Sequence, residues 1–391
     1  MYRQVALLAS AQALFQTVSV LVMTIGGLAG SQLAPSPALA TAPIASMFLG
    51  TAIATVPASM WMVRVGRKFG FLLGAGFGLL GGLLAAAGVY AGSLWLLCLG
   101  TLLVGAYQGF AQFYRFAASE VANDAFRPRA ISLVLAGGVV AALAGPALGR
   151  LGGDLLQPTY TASFLILSIV SLLAVGVLAG VEIPRPAVLS GVDTSARPLD
   201  QIMRQPTYLV ALFGAATGYG VMILAMTATP LAMAHHQHGL SATATVIQLH
   251  VLGMFLPSFF TGSLIARFGV LRIMLAGVLL FFGHVALTLS GTGFYSFTAA
   301  LILLGIGWNF LYVGGTNLLT RTYTPAEKGK AQALNDLSIF LVGLASSLSA
   351  GVLQSALGWQ GLNLVLLPWL GLAGLAILYL FVAKERLGVV A

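Results

Sequence analysis

The chain's 391 residues are 59% apolar and only 7% charged, with 48 glycines and a mean hydropathy of +0.99. A soluble domain of this length has too little core to hide so much apolar surface, so the composition excludes that class and reads as a polytopic membrane protein. The net charge of +9 is carried by the loops between apolar stretches, which makes it a report of membrane topology, and no nucleic-acid partner is expected.

Stretches able to cross a hydrocarbon core of about 30 Å with roughly 20 residues occupy 5–30, 43–62, 69–91, 93–116, 130–149 and 160–181. Six more follow over 207–233, 243–266, 270–290, 296–320, 330–352 and 362–383. The expected fold class is all-α, with twelve transmembrane helices and none of the short alternating segments of a barrel. The first stretch follows only Arg3 and precedes Pro35 and Pro37, with no small-residue cleavage site, and reads as a retained helix. Basic residues fall in alternate loops: Arg64, Arg67 and Lys68; Arg127 and Arg129; Arg185, Arg197 and Arg204; Arg267 and Arg272; Arg321, Lys328 and Lys330; Lys384 and Arg386. The positive-inside rule then places these loops and both termini in the cytoplasm, and the chain in a bacterial inner (plasma) membrane. Arg150 is the exception, and Arg115 falls near the inner end of the fourth stretch. The lone Cys98 lies within a stretch and reads as a packing residue, with no disulfide framework.

The segment from Glu182 to Pro206, rich in Pro, Arg and Asp, divides the stretches six and six. The expected domains are an N-terminal half at 1–181, a cytoplasmic linker at 182–206 and a C-terminal half at 207–391. Arg64-Val-Gly66-Arg67-Lys68 after the second stretch is mirrored by Gly262-Ser-Leu-Ile-Ala-Arg267-Phe-Gly269 after the eighth, with Gly66 and Gly269 203 positions apart. Such spacing marks a parallel repeat about an axis along the membrane normal.

On these features the chain resembles a major facilitator superfamily transporter, whose loop motif reads Gly-x-x-x-Asp-Arg-x-Gly-Arg-Arg. The first copy keeps Arg64, Gly66, Arg67 and Lys68 but has Ser59 and Val63 for the glycine and aspartate; the second keeps Gly262, Arg267 and Gly269 but has Ala266 for the aspartate. The resemblance implies two halves rocking about a midplane site, without the acids of the usual inward-side charge lock. Gly137-Gly138 and Gly145-Pro146-Ala-Leu-Gly149 resemble the Gly-Pro motif of facilitator antiporters, although small residues also serve close helix packing.

Met222-x-x-x-Met226 on the seventh stretch and His250-x-x-x-Met254 on the eighth form a soft-ligand quartet. Residues at i and i+4 share a helix face. A rise of 1.5 Å per residue puts the two methionines roughly 22 and 28 Å from the inner surface, and His250 and Met254 roughly 10 and 16 Å from the outer one. Thioether and imidazole donors suit monovalent copper, whereas Mg²⁺, Ca²⁺ and Mn²⁺ call for carboxylates, and the middle of each stretch lacks Asp and Glu. Intramembrane histidine is costly and functional by default. The quartet resembles the paired motifs of CcoA-type copper importers, including their 28-residue offset. That resemblance implies copper as transported substrate, held by Met222, Met226, His250 and Met254, and supply of cbb3-type cytochrome oxidase assembly. Expected partners are the copper ion, the lipid bilayer and a downstream copper chaperone; no resident cofactor is expected, and the chain is expected to act as a monomer.

The repeat maps Met226 onto Met23 and His250 onto Met47, making these secondary metal candidates or else packing or lipid-facing methionines. His235, His236 and His238 in the loop before the eighth stretch either collect metal or are an incidental solvated cluster. Coupling stays open among uniport, proton linkage and intracellular copper sinks. His250 and His284 are the mid-span titratable groups, and Glu120, Asp124 and Asp336 fall near inner helix ends, where Asp336 suits packing or a gate contact. The alternative cargo is a small planar organic solute such as riboflavin, since related facilitators carry flavins; Gln108, Gln112, Trp308, Asn309, Tyr312 and Asn317 would then line its cavity. A copper-binding sensor without transport is a third class. The sequence offers no triad, phosphate loop or nucleophile, so no enzyme is expected.

Overall fold

The structure is a computed structural model that describes residues 1–123, 130, 133–134, 136–183, 197–324 and 327–386. Asp124, Arg127, Arg129 and Arg185 lie outside the described residues. The described residues hold helices and no strand, as lipid requires: hydrocarbon offers the backbone no partner, so each span must satisfy its own N–H and C=O groups. In the first half these are α1 (Tyr2–Leu33), α2 (Ala42–Val65), α3 (Arg67–Tyr90), α4 (Leu94–Ala111), α5 (Tyr114–Val121), α6 (Gly137–Gly153) and α7 (Thr161–Ala179). After the short α8 (Leu199–Met203) come α9 (Pro206–His235), α10 (Leu240–Phe255), α11 (Ser258–Phe268), α12 (Val270–Leu289), α13 (Phe294–Leu319), α14 (Lys328–Leu364) and α15 (Leu366–Arg386).

Nine described helical runs are individually long and apolar enough to cross a membrane, and α10 with α11, bent by 41°, make a tenth span. One run, Lys330–Ala383, has 54 residues, about 81 Å if straight. That is too long for one crossing, and it breaks at Gly358, whose φ is 68°. With α6 as a further span, the described helices fit the twelve-span reading.

Gly66 ends α2 at φ 94°, ψ 152°, and Gly269 ends α11 at φ 85°, ψ 148°. Only glycine occupies this region without strain, so the two loop motifs share one backbone geometry. The successive spans run up and down, so the loops at Gly66 and Gly269 mark one end of the bundle, here the basic end.

The two halves meet through α1 against α9, α2 against α14 and α6 against α10. Within the first half, a Cβ on Gly137 would sit 2.8 Å from the Ala13 backbone nitrogen and one on Gly145 2.8 Å from Val20. The glycines of the Gly-Pro segment therefore let α6 close onto α1, which accounts for them through packing.

Candidate functional site

A cavity of about 460 Å³ lies between the halves, within the roughly 300–1,000 Å³ of small-molecule sites. Its lining repeats across the pseudo-symmetry: Gln16, Ser19, Val20 and Met23 of α1 line it, and so do Tyr219, Met222, Ile223 and Met226 of α9, each 203 positions later. Phe48 and Val251 form a further such pair. Positions equivalent by the repeat thus face one another across a shared space, as the loop glycines foretold.

At the basic end the lining reaches the exposed Thr316 and Asn317 of α13 and Thr320 just beyond its end. At the other end it stops at Met23, Phe48 and Met226, all buried. Beyond them the halves are tied together: Thr41 Oγ1 donates to the Ser347 carbonyl at 2.9 Å, Gln248 Nε2 to the Leu143 carbonyl at 2.9 Å, and Arg150 to Ser241 Oγ at 3.2 Å. The cavity is accordingly open toward the basic end and sealed at the other.

Its walls divide by chemistry. Trp308 stacks on Tyr312, with centroids 5.0 Å apart and planes 11° apart, and Phe255 meets the indole edge-on at 5.9 Å. Tyr219 continues the aromatic wall, 6.0 Å from Tyr312, 6.2 Å from Phe48 and 6.1 Å from Phe340. Opposite stand the amides Gln12 and Gln16 on α1 and Gln108 on α4, with Gln112 in the turn after α4. Arg115 on α5 is the cationic lining residue, and it interacts with Tyr312 and with Asp336 of α14 across the half-to-half boundary. Among the described residues the lining contains neither Asp nor Glu nor Cys. Such a surface suits a planar, neutral or weakly anionic solute with a hydrogen-bonding edge.

The soft-ligand quartet is divided by the fold. Met222, Met226 and Met254 line the cavity, but His250 does not: its side chain is fully buried, and Nδ1 donates to the Leu301 carbonyl at 2.8 Å on α13. Met23 lines the cavity; Met47 is buried outside it, where α2 packs on α4. His235 and His236 are adjacent rings 5.3 Å apart, but His238 turns its Nε2 to the Thr292 carbonyl at 2.8 Å and its ring to Phe297. Partial burial and the neighbouring imidazoles of His235 and His238 lower the pKa of His236. Among the described residues no group of three His, Cys, Asp or Glu side chains is placed to hold a metal, which corrects the reading of the histidine trio as a collected metal site. His284 is likewise spent on packing, with its ring nitrogens at the Ala300 carbonyl, 2.9 Å, and Asn363 Oδ1, 2.8 Å.

Of the expected solute-lining residues, Gln108, Gln112, Trp308, Tyr312 and Asn317 are in place. Asn309 is the correction. It is fully buried away from the cavity, where Nδ2 donates to the Met254 carbonyl at 2.7 Å and to Ser258 Oγ at 2.6 Å, while Thr261 Oγ1 donates to its Oδ1 at 2.6 Å. Pro257 lacks an N–H and breaks the helical ladder, and Asn309 satisfies the groups left at the bend between α10 and α11.

The loop motif also acquires a partner that the sequence did not foretell. Arg67, lacking the aspartate of the family pattern, donates Nε to Glu120 Oε2 of α5 at 2.6 Å. Gln12, Gln16 and Arg115 were missed as lining, although Gln12-x-x-x-Gln16-x-x-Ser19 and Gln108-x-x-x-Gln112-x-x-Arg115 are polar stripes at helical spacing in otherwise apolar segments.

The model of the Major Facilitator Superfamily matches residues 6–256 and 210–389. The chain belongs to the major facilitator superfamily. It is 40% identical over 368 residues to the riboflavin transporter RfnT of Brucella anthropi, covering 94% of this chain and 92% of the relative. It is 31% identical over 368 residues to the uncharacterized facilitator-type transporter YdeG of Bacillus subtilis, covering 88% and 84%. Among solved structures, a bacterial homolog of the human lysosomal transporter Spinster, inward-facing and occupied, superposes with a TM-score of 0.75 at 16% identity, covering 97% of this chain and 96% of that one. The nucleoside transporter NupG gives 0.71 at 13% identity, covering 96% and 100%; both show the fold. The chain is thus a multi-pass membrane transporter of this superfamily and not an enzyme. These matches show the superfamily and do not show the copper-importer subfamily.

Proposed function

We propose that this facilitator carries riboflavin or a closely related flavin across the membrane. The observation that carries the reading is the 40% identity to a riboflavin transporter over 94% of the chain, and the cavity chemistry supports it. A flavin presents a planar ring with an apolar side and a polar edge, plus a polyol tail. The aromatic and thioether wall offers contacts for ring faces, and Gln12, Gln16, Gln112 and Asn317 offer donors and acceptors for hydroxyls. Solute would enter at one end, and release would follow rocking of 1–181 against 207–391 about the linker 182–206. The basic end corresponds to the cytoplasm of a bacterial inner membrane by the positive-inside rule.

Copper import is the second reading, favoured by the four cavity thioethers of Met23, Met222, Met226 and Met254; the Leu301 carbonyl holds His250 Nδ1–H and leaves Nε2 without a partner, but the ring is buried and does not line the cavity. Uptake of labelled riboflavin and of radioactive copper by cells lacking their own carriers distinguishes the two. Riboflavin accumulation that depends on this chain is the expected result. Copper accumulation without riboflavin flux would overturn the flavin reading, and solute binding without any flux would mark a sensor.

A further inference from the structure

Two polar atoms on the cavity wall have no hydrogen-bond partner. Gln108 Oε1 and Trp308 Nε1 are both buried and unpaired, and their side chains, 6% and 7% exposed, both line the cavity. Gln108 comes from α4 in the first half and Trp308 from α13 in the second. A buried polar group left unmade is expensive; the Gln108 side chain makes a hydrogen bond with the Tyr219 hydroxyl, and its Oε1 remains without a partner. Trp308 is fixed by the Tyr312 stack on its face and by Phe255 against its edge, so the indole cannot swing away to find a protein acceptor. The orphan pair is one acceptor and one donor: indole N–H only donates, and the amide oxygen only accepts.

We propose that these two atoms recognise a lactam edge, a ring carbonyl beside a ring N–H, on a planar heteroaromatic solute. Gln108 Oε1 accepts from the ring N–H, and Trp308 Nε1 donates to the neighbouring carbonyl. Because Tyr312 already covers an indole face, Trp308 meets the solute with its edge, and the faces of the solute ring lie against the thioethers of Met222, Met226 and Met254. This deepens the flavin reading and rests on it for the choice of ring, since the pyrimidine side of isoalloxazine carries such an edge. The pair also spans the two halves, so a solute held this way is gripped by both at once. A metal ion could take the lone pair of Gln108 Oε1 but offers no acceptor to Trp308 Nε1.

The test is binding to the full-length chain in nanodiscs, read by fluorescence titration. The ligands are riboflavin, lumichrome and a pterin, each beside its derivative methylated at the lactam nitrogen. Riboflavin is expected to bind, and its methylated form to bind about ten-fold more weakly or worse. Gln108→Leu is expected to weaken riboflavin by a similar factor and leave the methylated form little changed, collapsing the discrimination; Trp308→Phe, which keeps an aromatic ring and removes the N–H, is expected to weaken both. The methylation series uses the unaltered protein and stands even if a variant fails to fold. Equal affinity for every ring and its methylated form, or binding of none, overturns the lactam-edge assignment. Binding of another lactam ring with rejection of its methylated form, while riboflavin itself fails, supports the edge and overturns the flavin reading instead.

Discussion

The thioethers and the aromatic pair compete for the meaning of the cavity, and single substitutions separate them. Tyr312 supports the indole of Trp308 by stacking, an interaction of about 0.5–1.5 kcal/mol beyond buried area. Tyr312→Leu should therefore weaken riboflavin about two- to ten-fold in a fluorescence titration. Met222→Leu with Met226→Leu keeps the volume nearly constant but removes two sulfur contacts to the ring faces, so riboflavin should bind about two- to ten-fold more weakly with flux retained; loss of copper accumulation with riboflavin binding unchanged would reinstate the metal. Much of this site was legible as spacing. Glutamines at 12, 16, 108 and 112 and the pair Trp308-x-x-x-Tyr312 recur at i, i+4 in apolar stretches, and all line the cavity. What spacing could not show was direction. His250 and Met254 also stand four apart, yet one turns to the Leu301 carbonyl and the other to the cavity, because a helix face is wide enough to meet both a neighbour and a void.

The spans themselves were readable because hydrophobicity and length are enough to place a helix in lipid. Their breaks were not. The eighth stretch reads as one apolar run at 243–266, but it bends by 41° at Pro257, and the fourth is interrupted between Ala111 and Tyr114. Neither interruption alters the apolar pattern, and only the proline hints at the first. The bend is maintained from outside, by Asn309 on α13. Asn309→Leu would strand the buried Met254 carbonyl, at a cost of about 1–3 kcal/mol, while the Thr261 hydroxyl keeps the Pro257 carbonyl at 2.8 Å and Ser258 is exposed. The expected result is a lower Tm in detergent together with weakened riboflavin binding, since Met254, Phe255 and Ser258 reach the cavity from this bend. An unchanged Tm would mean that the helix bends without the amide.

Across the molecule, the connections at the two ends of the bundle assign different tasks to each. At the basic end, Arg197 clasps Glu327 by Nε and Nη2 contacts, both at 2.7 Å, and also reaches the Thr322 carbonyl at 3.0 Å. This joins the end of the linker to the start of α14 within the second half and does not bind the halves to each other. The Arg197 guanidinium, with the backbone N–H groups of Thr324 and Arg197, holds the Glu327 carboxyl well below its ordinary pKa. A depressed folded pKa gives stability that is complete above the unfolded value and is lost as pH falls through the folded one. The Tm should consequently decline as pH drops below about 4.5, and Glu327→Gln should be less stable at pH 7 with a flatter acid profile. Apart from the Arg115 contacts with Tyr312 and Asp336 and the Gln108 contact with Tyr219, the hydrogen bonds described between the halves lie at the sealed end, and rocking must part the halves there. A Cβ built on Gly351 of α14 falls 2.6 Å from the Ala38 carbonyl oxygen, closer than a side chain tolerates against backbone, so this end seals over glycine and Gly351→Ala should push it apart. Riboflavin flux across proteoliposomes should then fall several-fold, because the state sealed at this end is harder to reach. Undiminished flux in Gly351→Ala would show that close approach of the halves here is not needed for transport.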